Sequence, residues 1–198
     1  MWASAHLERD VDHIGRIKPV GERDHDMEFP LETCTVRSWR TADAADLAQN
    51  ANNRNVWINL RDAFPYPYQE RDALAWIRST EHEVPETNFA ITVINEAIGA
   101  IGFRLGTDVD RRTAEIGYWI GEPFWGRGIG TEAVTRITEY AMTTHDLTRV
   151  WAMTFEWAGA SARVLEKAGY ALEGRLRRSA VKDGKVIDQL LYAFTGDE

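Results

Sequence analysis

The segment Ala114-Glu-Ile-Gly-Tyr-Trp-Ile-Gly-Glu-Pro-Phe-Trp-Gly-Arg-Gly-Ile-Gly-Thr-Glu-Ala133 constrains this chain more than any other. Residues 113–120 read as a strand, Pro123 and the glycines interrupt it, and a helical pattern runs from about Gly128 to Met142. A strand that turns through glycines into a helix belongs to a layered α/β fold, with helix packed on sheet. Glycine has no Cβ, so its backbone can lie close to a ligand. The free N–H groups of the helix's first turn, with the helix dipole, attract an anion worth about 0.3–1 kcal/mol at an exposed site. Arg127 adds one positive charge. On the glycines alone two readings stand: a phosphate cradle, or a structural turn that lets helix and strand pack closely. The ligand is not that of a Walker loop, which needs Gly-Lys-Ser/Thr. Nor is it a dinucleotide site, because Gly126, Gly128 and Gly130 alternate and the third glycine falls one residue early.

The remaining elements follow from periodicity and turn chemistry. Residues 34–40 read as a strand, and Thr41 and Asp43 are capping candidates for a short helix through Gln49. An aromatic, proline-containing loop at 62–68 precedes a helix at 69–79. Strands are expected at 88–94 and 98–105 around Asn95-Glu96, and then at 148–155. A helix at 160–167 ends at Gly169. Strands 171–181 and 186–194 flank the Asp183-Gly184 turn, a strong hairpin signal. The order strand, helices, antiparallel strands, helix, strand, helix, hairpin implies a mixed α/β sheet, not a doubly wound one.

Composition narrows the partners. The 198 residues suffice for one domain with a full core, and the formal net charge of −8 argues against a broad nucleic-acid footprint. No apolar run approaches the roughly 18 residues of a membrane helix, and the charged N-terminus is no signal peptide. The single cysteine, Cys34, excludes an internal disulfide and suits the cytoplasm. Residues 1–26 form a polar tail holding His6, His13 and His25 without ligand-like spacing, so no metal is expected, and the domain proper is 27–198. His82 and His145 are expected on solvated faces, and most of the eight tryptophans in core or pocket wall.

The glycine junction resembles the acyl-CoA site of the GCN5-related N-acetyltransferases (GNAT), in the form found in the RimJ/RimL branch: Glu115-Ile-Gly-Tyr-Trp-Ile120 followed by Trp125-Gly-Arg-Gly-Ile-Gly-Thr-Glu-Ala133. Ser161-Ala-Arg-Val-Leu-Glu-Lys-Ala-Gly-Tyr170 resembles the second signature, and residues 55–68 the Phe-Pro-x-Pro-Tyr loop. Spaced matches run from Arg37 to Tyr192. The resemblance implies a mostly antiparallel central sheet flanked by helices and splayed at the acyl-CoA site. It implies an N-acetyltransferase that moves an acetyl group directly from acetyl-CoA, its co-substrate, to a primary amine on a protein N-terminus or a small molecule. It also admits a homodimer. A non-catalytic acyl-CoA-binding or sensing module is the alternative.

By the same resemblance, backbone groups around Trp119 and Ile120 pair with the pantetheine arm. The amides of Gly126, Arg127, Gly128, Ile129, Gly130 and Thr131 cradle the pyrophosphate, and the acetyl group sits between the 113–120 and 148–155 strands. Three positions depart from the wider family. Trp125 replaces Gln or Arg, as is usual in the branch; Ala158 stands where many relatives have Asn; and Leu165 stands where many have the Tyr that protonates the thiolate. A lysine-like amine is mostly protonated at neutral pH, so a base is needed, and Glu115 is the candidate, acting through water. Its structural alternative is an ion pair with Arg111 or Arg112. Glu122 and Glu132 are weaker candidates. Ser161 is the candidate hydrogen-bond donor to sulfur, or else a helix-start serine. Cys34 is read as structural. Trp57, Phe64, Tyr66 and Tyr68 are expected to wall the acceptor pocket or pack the loop, with Asp62 drawing in an ammonium group.

Overall fold

A computed structural model describes residues 27–80 and 83–196. The tail assigned to residues 1–26, with its three histidines, lies outside the described residues, as does His82. Among the described residues eight strands and five α-helices follow one another. They are β1 (Glu28–Pro30), β2 (Thr35–Arg37), α1 (Ala44–Ala51), α2 (Arg54–Trp57), α3 (Glu70–Thr80), β3 (Asn88–Val93), β4 (Glu96–Leu105), β5 (Thr113–Ile120), α4 (Ile129–Thr144), β6 (Arg149–Phe155), α5 (Gly159–Lys167), β7 (Ala171–Lys182) and β8 (Lys185–Thr195). Three of these depart from the sequence reading. β1 and α2 were not foreseen, and the strand expected at 34–40 spans only three residues.

The strand stops early because its continuation is tied down by side chains. Arg37 is buried and donates two hydrogen bonds to the Asp43 carboxylate, at 2.8 and 2.7 Å. The same carboxylate accepts from the Arg40 amide at 2.8 Å, which turns the chain through a short 3₁₀ segment at Thr41–Asp43 into α1. Asp43 thus does cap the turn, as a buried ion-pair partner. Removing one partner of such a pair costs about 3–5 kcal/mol.

The strands form one sheet in the order β1-β2-β3-β4-β5-β6-β8-β7. Every neighbouring pair is antiparallel except β5 and β6. Alternation along the central strands sends side chains to two separate cores. On one face Phe89, Ile91, Ile101, Phe103 and Ile116 pack with Val134 and Ile137 of α4 and Leu165 of α5. On the other, Ala90 and Ala100 meet Leu47 of α1 with Ala73 and Ile77 of α3. Burying each large aliphatic or aromatic side chain contributes about 1.5–3 kcal/mol, so the two-sided burial of β3 and β4 anchors the sheet's middle. The edge strand β7 is exposed along nearly its whole length.

The parallel pair is brief. β5 and β6 are in register at Thr113↔Arg149, Ala114↔Val150 and Glu115↔Trp151, and the pairing stops there. β5 continues to Ile120 on β4, and β6 continues to Phe155 on β8. The sheet therefore opens between two strands that each keep their outer partner.

Candidate active site

The opening between β5 and β6 leads into a cavity of about 700 Å³, bordered by both strands, the glycine junction, the start of α5 and the chain between α1 and α3. The Gly121 amide donates to the Ile98 carbonyl of β4 at 2.7 Å. Peptide groups alternate in direction along a strand, so those of Trp119 also face β4, while those of Tyr118 and Ile120 face the opening. The Ile120 carbonyl already accepts the Trp125 indole N–H at 2.7 Å. The backbone groups that face the opening toward an inserted chain are thus those of Tyr118 and the amide of Ile120. Trp119 contributes its side chain instead, edge-on to Phe64 at 5.6 Å.

The three alternating glycines do two jobs. Gly126 and Gly128 have φ of +75° and +87°, and a Cβ on either would meet no atom within 4 Å, pointing into open space. Gly130 differs: a Cβ there would lie 3.3 Å from Val164 and 3.4 Å from Ile120. The junction therefore leaves open space at 126 and 128 and packs closely at 130. The Thr131 amide turns back onto the Gly128 carbonyl at 3.0 Å, leaving only its hydroxyl to offer a ligand. The Arg127 guanidinium donates to the Pro123 carbonyl at 2.7 Å and lies over the Phe124 ring. Ile129 is buried at the helix start, so its side chain belongs to the core.

Glu115 lines the cavity with a side chain 9% exposed, held by Arg61 and Arg104. Those partners replace the expected Arg111 and Arg112. Arg111 instead reaches the Asp108 carbonyl and Arg112 pairs with Asp146. Arg61 belongs to the loop after α2, so Glu115 ties that loop to the sheet. Glu122 accepts from the Asn53 and Asn55 amides at 2.7 and 2.9 Å, which hold its carboxyl below the usual range. Glu132 accepts from the Thr33 amide at 3.0 Å. Both are tethers between segments.

At the start of α5, the Ser161 and Tyr118 hydroxyls lie 2.8 Å apart. Burial pushes the Tyr118 phenol up to about 12, so it stays protonated at neutral pH and keeps a proton to donate. Tyr118 was not singled out from sequence, because an aromatic on a strand reads as core. Ser161 was a sequence candidate, but its pairing with Tyr118 became visible only once α5 was docked. Leu165 is buried and apolar, as its type dictates. Thr154 was also missed: it borders the cavity, buried, and its hydroxyl has no hydrogen-bond partner among the described residues. A buried donor and acceptor left unpaired fits a polar ligand such as an amide-bearing arm.

The four aromatics separate. Phe64 and Tyr68 border the cavity, ring centroids 4.8 Å apart. Trp57 and Tyr66 do not; they pack on each other at 5.5 Å. Lys182 of the β7–β8 hairpin explains why. Its ammonium is 3.6 Å from the centroid of Trp57 and 2.7 Å from the Asp62 carboxylate. Trp57 and Asp62 thus rivet the loop to the hairpin, and Asp62 is engaged by a lysine instead of facing an incoming ammonium. His145, expected on a solvated face, packs edge-on to Phe103 at 5.3 Å. Cys34 is buried, and that burial pushes its thiol up to about 11, out of the nucleophilic range. Among the described residues no cluster of three metal-ligating side chains occurs, and no helix is long and apolar enough to cross a membrane.

Comparison with known proteins bears on this geometry. Residues 34–171 match the family described as the acetyltransferase (GNAT) domain. The chain is 30% identical over 167 residues to the uncharacterized N-acetyltransferase p20 of Bacillus licheniformis, covering 82% of this chain and 93% of that one. It is 26% identical to the ribosomal protein uS5-alanine N-acetyltransferase of Escherichia coli (strain K12), covering 80% and 82%. The fold superposes on RimL, the ribosomal L7/L12 alpha-N-protein acetyltransferase solved with coenzyme A, with a TM-score of 0.75 at 21% identity, covering 85% and 98%.

Proposed function

This chain belongs to the acetyltransferase (GNAT) family, and from that premise we propose that it moves an acetyl group directly from acetyl-CoA to a primary amine, on a protein N-terminus or a small molecule. The observation that carries the reading is the opening between β5 and β6 beside a glycine turn whose Cβ positions point into empty space. Acetyl-CoA supplies the acetyl group as a thioester. The amides around Gly126 and Gly128 suit its pyrophosphate, and the peptide groups of Tyr118 and the amide of Ile120, with the Thr154 hydroxyl, suit the amides of its arm.

The chain's own groups then divide the work. Tyr118 and Ser161 act as a pair in which one hydroxyl donates to the other and the second donates to the sulfur as it takes up negative charge, the part that Leu165 cannot perform. Glu115, held by two guanidiniums, positions Arg61 and the loop bordering the acceptor side. Phe64, Tyr68 and Trp119 form that side's apolar wall. Relatives named for ribosomal-protein acetylation favour a protein N-terminus within the acceptor class.

The test is a thiol-release assay with acetyl-CoA against a panel of N-terminal peptides and small amines. Thiol release that depends on the amine, with the acetylated amine recovered by mass spectrometry, is the expected outcome. Tight acetyl-CoA binding with no release for any amine would instead mark a sensing module.

A further inference from the structure

A second chamber of about 430 Å³ lies beside the main cavity, and Asn59, Trp125 and Trp157 border both. On one side stands α2 with Arg54; on the other stands the β7–β8 turn with Lys182, Asp183 and Lys185. Trp125 and Trp157 are 46% and 41% exposed, although each is held in place. The Trp125 indole N–H is fixed on the Ile120 carbonyl, and Trp157 rests edge-on against Phe155 at 5.7 Å. Two rigid, half-exposed aromatic faces cost little further ordering when a flat group settles on them.

The charge of the chamber runs against that of the protein. Arg54, Lys182 and Lys185 face it with only Asp183 in opposition, in a chain of formal net charge −8. Arg54 is paired with Asp183 and Lys182 with Asp62, whereas Lys185 has no ion-pair partner among the described residues. Aromatic faces also attract cations, but a cationic guest here would meet Lys185 and Arg54. An anion meets them favourably and lies close to neutral carbon on both tryptophans.

We propose that this chamber seats an oxyanion, carboxylate or phosphate, carried on an apolar part of the amine acceptor, while the amine reaches the main cavity past Trp125 and Trp157. The inference rests on the acetyltransferase reading and names its substrate class: amines bearing a negative charge at a distance from the reacting nitrogen.

The experiment uses the full chain and four C-terminally amidated tripeptides with free amino ends: Ala-Phe-Glu, Ala-Phe-phosphoserine, Ala-Phe-Gln and Ala-Phe-Lys. Binding is measured by calorimetry in the presence of coenzyme A, and turnover by thiol release. At least one anionic peptide binds about 3- to 5-fold more tightly than the glutamine peptide, the size of one partly exposed charge pair, and the lysine peptide binds worst. Comparing the two anionic arms separates carboxylate from phosphate. Lys185→Glu inverts the order without changing acetyl-CoA affinity or Tm. Trp157→Ala weakens all four peptides.

The proposal is overturned if the glutamine or lysine peptide binds as well as both anionic ones, if Lys185→Glu leaves the order intact, or if no peptide binds. Turnover without charge order sinks the chamber and leaves acetyl transfer standing. Charge-ordered binding without thiol release supports the chamber and sinks acetyl transfer.

Discussion

At the scale of single residues, the pair Tyr118 and Ser161 shows how a site is made by side chains from elements far apart in sequence. One hydroxyl comes from β5 and the other from the first turn of α5, and they meet at 2.8 Å. Either substitution, Tyr118→Phe or Ser161→Ala, should lower kcat about 10²-fold with little change in acetyl-CoA affinity. The double variant should lose scarcely more than either single one, because groups acting as a unit are not additive. If Ser161 only starts a helix, Tm falls and kcat per folded molecule holds. Glu115 gives a different signature. A free base replaced by Gln costs about 10²–10⁴-fold, and the loss shrinks as pH approaches the amine's own pKa. On the reading proposed above, a carboxylate engaged by Arg61 and Arg104 acts through position instead. Glu115→Gln should therefore raise the acceptor KM more than it lowers kcat, by a factor that stays constant across the pH profile. A large kcat loss that fades at high pH would return Glu115 to the base role.

Among elements, the β5–α4 junction concentrates two constraints in five residues, 126–130. Gly128→Val should abolish acetyl-CoA binding while circular dichroism stays native, because the branched side chain occupies the cradle and φ of +87° resists it. Gly130→Val should behave in the opposite manner, since its Cβ would already lie a tight 3.3 Å from Val164 of α5 and the γ-carbons need further room. Tm should drop, by an overpacking cost of about 1–3 kcal/mol, ahead of any specific loss of binding. Equal behaviour of the two variants in calorimetry and thermal melts would refute this division. The Asn53 and Asn55 bonds to Glu122 tie the turn after β5 to α2.

For the whole molecule, the end of α4 predicts a pH dependence of stability. His145 follows the last turn of that helix, and its Nε2 is buried with no partner among the described residues. Burial lowers its pKa from 6.5, so the unfolded chain binds a proton that the folded chain resists. The native state's advantage is complete above 6.5 and shrinks as pH falls below it. Tm should accordingly fall more steeply from about pH 7.5 to about pH 5.5 in the wild type than in His145→Phe, where that proton is missing from both states. Parallel Tm curves for the two proteins would show that His145 is not coupled to folding.

Much of this architecture was legible from local chemistry. β5 was read at its observed limits, and β3, β6, α3, α4, α5 and the closing hairpin lie within two residues of where periodicity and turn residues placed them. These elements are long, or bounded by Gly and Asp-Gly, and so carry their own boundaries. β1 and α2 carried no such signal, being three and four residues long; β1 exists because β2 offers it an edge, and α2 because Asn53 caps it. The glycine turn was likewise visible as residues, since glycine conformations are local properties. What the tertiary structure alone decided is which side chains share a space. It paired Glu115 with Arg61 across 54 residues, set Tyr118 against Ser161 across 43, and drew Lys182 to Asp62 across 120. Such contacts depend on how the sheet opens and how helices dock over it, which no local pattern encodes. The chain's chemistry was therefore readable as a class from sequence, whereas the roles of individual charges emerged only with their partners.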